Sequence, residues 1–211
     1  MDCFRKYLVE FLGTYFLVFT AAAMILFGAG SAVTALAIGT VLAVMIYAGG
    51  YVSGGHYNPA VSLASVIRGG MCFHDLIPYW IAQILGAAAA TYTVIAFAPN
   101  GGGGIECPFN TLSVLTGEFL FTFALCYTAL STTTSEETEG NSYYGAAIGG
   151  IAAAGIITVG GTLCYAAFNP AIALGLGIMG SFCPVMLLIT ALVNLVAGAS
   201  AAIIFRFASN E

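Results

Sequence analysis

Charge is what this sequence has least of. Asp, Glu, Lys and Arg together make up 6% of its 211 residues, against about 25% in a soluble domain. Hydrophobic residues make up 60%, and the mean hydropathy is +1.00. Such a chain cannot cover itself with polar surface, which excludes a water-soluble fold and implies an integral membrane protein. The basic residues number four (Arg5, Lys6, Arg68 and Arg206), too few and too scattered for a nucleic-acid surface whatever the net charge of −5. Cys3, Cys72, Cys107, Cys126, Cys164 and Cys183 show no CxxC or other metal-ligand spacing. Most lie in apolar stretches, where a thiol acts as a small hydrophobe. No nucleophile–base pair stands out either. An enzyme, a metal centre and a cofactor are therefore not expected.

What the chain does have is long apolar runs. A crossing takes about 20 residues, which leaves room for about six. They are read at roughly 7–27, 32–51, 76–98, 111–130, 143–161 and 184–205. The first is long enough to be a span rather than the core of a signal peptide. The stretch from Gly49 to His56 is glycine-rich and expected to be irregular, so it belongs inside protein or along a watery cavity. The polar segment 131–142, with Glu136, Glu137 and Glu139, reads as the one clear aqueous loop. His74 is expected at the interface, near the start of the third span. The four basic residues fall before the first span, between the second and third, and after the last. With both termini cytoplasmic, this satisfies the positive-inside rule.

Two short apolar pieces remain, each opened by Asn-Pro-Ala: Asn58-Pro59-Ala60 and Asn169-Pro170-Ala171. Asn is a preferred N-cap and Pro suits the first helical position, so each tripeptide reads as a helix start. The first piece stops near Arg68-Gly69-Gly70 and the second near Gly180. About ten residues give ~15 Å, half a crossing. The halves also resemble each other. Glu10-Phe11-Leu12 matches Glu118-Phe119-Leu120, and Asn58-Pro59-Ala60-Val61 matches Asn169-Pro170-Ala171-Ile172. The chain is thus read as one channel domain, 1–211, with repeats at about 5–98 and 111–206. Each repeat holds an odd number of spans, so the second starts on the opposite side and the repeats are inverted. The half-length helices then enter from opposite faces, and their Asn-capped ends can meet near the midplane.

These residues resemble a known family. Ser53-Gly54-Gly55-His56-Tyr57-Asn58-Pro59-Ala60-Val61 is similar to the first signature of the aquaporins and glycerol facilitators (the major intrinsic proteins), and Phe168-Asn169-Pro170-Ala171 to the second. The resemblance runs from Glu10 to the last span. It implies an all-α membrane protein of six transmembrane helices plus two re-entrant half-helices, forming a homotetramer in the plasma or bacterial inner membrane. It also implies a passive channel for water or small uncharged solutes that excludes ions and protons. In such a pore the positive ends of two half-helices, roughly half a charge each, repel cations. The oxygens of Asn58 and Asn169 cap their helices, leaving the amide nitrogens to donate into the lumen. Backbone carbonyls of Gly54, Gly55 and His56 on one side, and of Tyr165, Ala166 and Ala167 on the other, supply acceptors. Glu10 and Glu118 are ionisable groups within spans. They read either as proton carriers or as supports for the half-helix loops, and the resemblance favours support. His56 is expected to support its loop as well.

The sequence departs from the family at the narrowest point. Many members carry Arg directly after the second Asn-Pro-Ala, where this chain has Ile172. Family spacing puts the other constriction positions on Ile38, Ile157 and Ala166. All are aliphatic, and an apolar constriction can gate by dewetting. That is compatible with glycerol, ammonia, hydrogen peroxide or dissolved gas, and equally with a slow channel. A coupled secondary transporter remains an alternative, since inverted repeats and broken helices also build those, although it calls for more midplane charge. A closed-pore structural protein is the other. Small residues along the third, fifth and sixth spans (Gly86, Gly145, Gly149, Gly155, Gly198) fit contacts within one bundle as well as contacts between subunits.

Overall fold

The computed structural model describes residues 3–98, 111–160, 166–180 and 184–209. Among them the chain forms eight α-helices: α1 (Cys3–Leu26), α2 (Ser31–Ser53), α3 (Pro59–Arg68), α4 (Leu76–Phe97), α5 (Thr111–Thr133), α6 (Tyr144–Gly155), α7 (Pro170–Ile178) and α8 (Pro184–Ser209). α1, α2, α4, α5 and α8 are each long and apolar enough to cross a membrane. α6 occupies the place of the remaining span. It continues as a π-helix over Ile156–Gly160, up to the edge of the described residues. α3 and α7, at 10 and 9 residues, are the half-length pieces.

Side-chain placement is the reverse of a soluble bundle. α1 turns Phe4, Leu8, Leu12 and Phe16 outward at four-residue spacing, while Glu10, Gly13, Thr14 and Leu17 face inward. The same holds across the molecule: Glu118, Thr122, Gln83, Thr190 and Asn194 are fully buried, and Leu188, Leu192 and Ile203 lie outside. Polar groups inside and an apolar jacket outside suit a bilayer, where intramembrane polar residues face the bundle interior.

The two halves pack alike. α1 lies against α2 and α4, as α5 lies against α6 and α8. α2 on α6 joins the halves. Each half-helix packs against a long helix of the other half, α3 on α8 and α7 on α4. Glycines set these close approaches. A Cβ on Gly86 would stand 2.5 Å from the Phe11 carbonyl, one on Gly39 2.6 Å from the Gly149 carbonyl, and one on Gly198 2.6 Å from the Ala60 carbonyl. The small residues left open between two uses therefore serve contacts within this bundle.

Two sequence expectations change. The stretch from Gly49 to Ser53 is helical, not irregular: α2 runs through it and stops at Gly54, left-handed at φ 90°. Gly49 is there for space, since its Cβ would fall 2.3 Å from the Tyr57 hydroxyl. α5 also runs past residue 130 into the segment read as loop. The hydroxyls of Thr132, Thr133 and Thr134 donate to the carbonyls of Thr128, Ala129 and Leu130, which lets polar side chains sit on the last turn without ending it.

The basic residues converge on one end. Lys6 Nζ lies 3.3 Å from Asp75 Oδ2, Arg68 Nη2 donates to the Thr134 carbonyl at 3.2 Å, and Arg206 Nη1 donates to the Ile67 carbonyl at 3.4 Å. His74 is exposed beside Asp75 at the same end.

Candidate functional site

The site is built from the N-termini of α3 and α7. Asn58 Oδ1 accepts from the Ala60 N–H and Asn169 Oδ1 from the Ala171 N–H, each at 2.9 Å. These caps fix both amides. Asn58 Nδ2 then donates to the Phe168 carbonyl and Asn169 Nδ2 to the Tyr57 carbonyl, again each at 2.9 Å. Each half-helix is thus tied to the loop of the other, and the two positive dipole ends face one centre. A carboxamide nitrogen carries two hydrogens. One is committed across the interface, so one per asparagine, not the whole amide, is left for the lumen.

For their carbonyls to reach across, Tyr57 and Phe168 take left-handed φ values of 49° and 51°. That conformation costs an L-residue roughly 1–2 kcal/mol, so something must hold it. The buried carboxylates do. Glu10 Oε1 accepts from the His56 N–H at 2.9 Å and Oε2 from the Tyr57 N–H at 2.7 Å; Ser53 Oγ and Gln83 Nε2 add donors at 2.7 and 2.8 Å. Glu118 does the same for the other loop, accepting from the N–H groups of Ala167 and Phe168 at 2.6 and 2.8 Å and from Asn194 Nδ2 at 2.8 Å. Each carboxylate therefore clamps the strained residue ahead of its own asparagine.

The asparagines line a narrow cavity of about 50 Å³. At ~10–15 Å³ for each water, it has room for a few waters. Its polar lining comes from Gly54, Gly55, His56, Asn58, Ser65, Thr133 and Asn169. The rest is apolar, including Leu17, Ile38, Val61, Leu125, Ile148, Ile156 and Ile172. At one end the cavity shares Gly54 and Thr133 with a wider mouth of about 690 Å³ that carries Glu136, Glu139 and Asn141.

Of the expected constriction residues, Ile38 and Ile172 line the cavity. Ile157 does not. Ile148, Ala152 and Ile156 form the inward stripe of α6 at four-residue spacing, which turns Ile157 to the outside with 46% exposure. Ile156 takes its place. Ala166 is half-buried and is not part of the lining, whereas Ala167 is. Tyr165 lies outside the described residues.

The family model described as "Major intrinsic protein" matches residues 1–205. The chain belongs to the major intrinsic protein family. Among curated members it is similar to "Glycerol uptake facilitator protein-like 6" of Lactiplantibacillus plantarum, 35% identical over 81% of this chain and 82% of that one. It is also similar to "Aquaporin Z" of Brucella melitensis, 46% identical over 48% of this chain and 49% of that protein, so this match spans about half of either. Its fold matches the aquaglyceroporin of Plasmodium falciparum with TM-score 0.75 and 23% identity, covering 97% of this chain and 94% of the other. Major intrinsic proteins are channels, not enzymes.

In this family member several site residues escaped the sequence reading. Gln83 and Asn194 each donate to the buried glutamate of their own repeat, 73 and 76 positions after it. Ser53 and Ser62 join the first of these networks. A signal for the amides was present, because a Gln and an Asn inside otherwise apolar spans at matching distances from two glutamates is not a chance pattern. Ser62 had none, as its counterpart in the second repeat is Ala173.

Proposed function

We propose that this chain is a passive channel for water and small uncharged solutes, set in a cell membrane with both termini cytoplasmic and assembled as a homotetramer. The observation that carries the reading is the reciprocal tie of Asn58 to Phe168 and Asn169 to Tyr57. It leaves one amide hydrogen from each side at the centre of the lumen. A water accepting both turns its own hydrogens away from the centre in opposite directions, and a continuous proton wire is broken there. Cations meet two helix N-termini and an aliphatic wall that offers no replacement for hydration. Glu10 and Glu118 act as supports for the loops rather than as proton carriers, since both oxygens of each accept backbone N–H groups. The likeness to an aquaporin and to a glycerol uptake facilitator makes water and glycerol the solutes to test.

The test uses purified protein in liposomes under osmotic gradients of water and glycerol, with proton leak followed in parallel. Unsaturable flux without proton leak is expected. Saturable or proton-coupled flux means a transporter, and no flux means a closed structural protein. Ile172 is the aliphatic residue where many relatives have a donor. Ile172→Arg is expected to lower glycerol flux relative to water about tenfold or more, because it narrows the lumen and adds a fixed cation. Unchanged relative permeabilities would remove Ile172 from the filter.

A further inference from the structure

We propose that Ser65 and Thr133 form a second polar station in the lumen, at the neck where the narrow cavity meets the wide mouth, and that this station selects solutes bearing hydroxyl groups. Its effect on transport rests on the channel reading above; its geometry and accessibility do not.

Ser65 is out of place as a structural residue. It opens the last turn of α3, about 10 Å beyond Asn58 along the axis at 1.5 Å per residue, and is only 5% exposed. A hydroxyl inside a helix ordinarily rests on the carbonyl four residues back. Thr91, Thr116, Thr133 and Ser200 all do so, on Ala87, Leu112, Ala129 and Val196. Ser65 makes no such bond to Val61, nor any other side-chain hydrogen bond among the described residues, and its side chain lines the cavity instead. A buried hydroxyl without a partner is destabilising, so the partner has to come from the lumen.

Thr133 lies at the neighbouring helix end. Arg68, on the same turn as Ser65, donates to the Thr134 carbonyl at 3.2 Å, and a Cβ on Gly70 would stand 3.2 Å from Ser65 Oγ and 3.4 Å from Thr134 Cγ2. The ends of α3 and α5 therefore close on each other at this level, and Thr133 lines both the cavity and the mouth. Its hydroxyl hydrogen is committed to the Ala129 carbonyl at 2.7 Å, which leaves it lone pairs to offer. Ser65 Oγ keeps both its hydrogen and its lone pairs. The matching ligand donates to one and accepts from the other, which a hydroxyl does and an apolar gas molecule cannot. The second repeat has no counterpart: Leu176 follows Asn169 at the distance at which Ser65 follows Asn58, and Ile25 follows Glu10 as Thr133 follows Glu118. Hydroxyls thus mark only the half of the lumen next to the mouth. A polyol that sheds its hydration at the neck regains hydrogen bonds there. Water, which can keep other waters as neighbours, depends on them less.

The test compares glycerol and water flux through the full-length protein in liposomes with and without Ser65→Ala. Glycerol flux is expected to fall roughly two- to tenfold, the size of one neutral hydrogen bond, with a smaller change in water flux. The thermal midpoint in detergent is expected to hold or rise, because the hydroxyl removed has no protein partner; a structural serine would lower it. Thr133→Val, an isosteric loss of the second hydroxyl, is expected to shift the two fluxes in the same direction. Accessibility is read separately. In a background with Cys3, Cys72, Cys107, Cys164 and Cys183 replaced by Ser, which keeps only the buried Cys126, Ser65→Cys is expected to react with mercuric ion added in water, and more slowly when glycerol is present. The background itself is expected to stay inert. Unchanged glycerol flux in both variants, equal losses of glycerol and water, or a lowered midpoint in Ser65→Ala overturns the recognition role. An unreactive Ser65→Cys, or a reaction rate that glycerol leaves unchanged, overturns the station itself. If the unmutated protein passes neither solute, the channel reading fails, while the reactivity of Ser65→Cys and its protection by glycerol still decide whether hydroxylated solutes occupy the neck.

Discussion

Tyr57 and Phe168 bind the two half-helices together at a conformational cost that neither residue could sustain alone. Each is locked from both sides: its N–H by a buried carboxylate, its carbonyl by the asparagine of the opposite half-helix. Glu118 is the simpler of the two clamps, with three donors on two oxygens. Glu118→Gln keeps the shape and replaces one acceptor oxygen with a donor. Whichever way the amide turns, at least one of the Ala167 and Phe168 N–H groups then faces an N–H. An unsatisfied buried donor costs about 1–3 kcal/mol. A lower thermal midpoint in detergent and a several-fold loss of water flux are expected. If both stay unchanged, Glu118 is a neutral acid and the clamp is not electrostatic. The glutamates were legible in the sequence because ionisable groups are rare in spans. The left-handed aromatics were not, since nothing in a local pattern tells Tyr or Phe to adopt a conformation that is unfavourable locally. They are set by partners more than a hundred positions away, 110 and 112 along the chain for the two asparagine bonds.

At the scale of the elements, composition and the length of the apolar runs located the long helices, because about 20 apolar residues in a row admit few alternatives. What they could not locate was the purpose of each glycine. Gly49 and Gly50 fall in the stretch expected to be irregular and are helical. Gly149 and Gly150 are neighbours with opposite roles. A Cβ on Gly149 would stand 2.3 Å from the Gly39 carbonyl and 2.9 Å from Ala43 Cβ, in the crossing of α2 and α6. Gly150 faces outward with nothing within 4 Å. Gly149→Ala forces the two halves apart and is expected to cost about 1–3 kcal/mol. Gly150→Ala removes only backbone freedom in a helix and is expected to be neutral or stabilising by about 0.5–1 kcal/mol. Thermal midpoints of the two variants, measured side by side in one detergent, separate packing from propensity; equal shifts would contradict the crossing. The same helix explains why the family spacing, which chose Ile157, misses the lining by one residue. On α6 only the stripe through Ile148 and Ala152 reaches the lumen, and its next position is Ile156.

For the whole molecule the open question is which end faces the cytoplasm, and the cations give the proposed orientation a checkable consequence. Lys6, Arg68 and Arg206 meet at one end through Asp75, Thr134 and Ile67. Thr134 also lines the wide mouth, so the mouth with Glu136 and Glu139 opens on the basic side. Positive charge resists translocation whereas acidic residues count little, so the proposed orientation has that mouth in the cytoplasm despite its glutamates. Cys3 and Cys72 are exposed thiols on this side: Cys3 begins α1 just before Lys6, and the Cys72 carbonyl accepts from the Asp75 N–H. Cys126 is buried and silent. In a variant with Cys107, Cys164 and Cys183 replaced by Ser, a membrane-impermeant maleimide is expected to label inverted vesicles and to leave intact cells unlabelled. Labelling of intact cells would reverse the molecule in the bilayer.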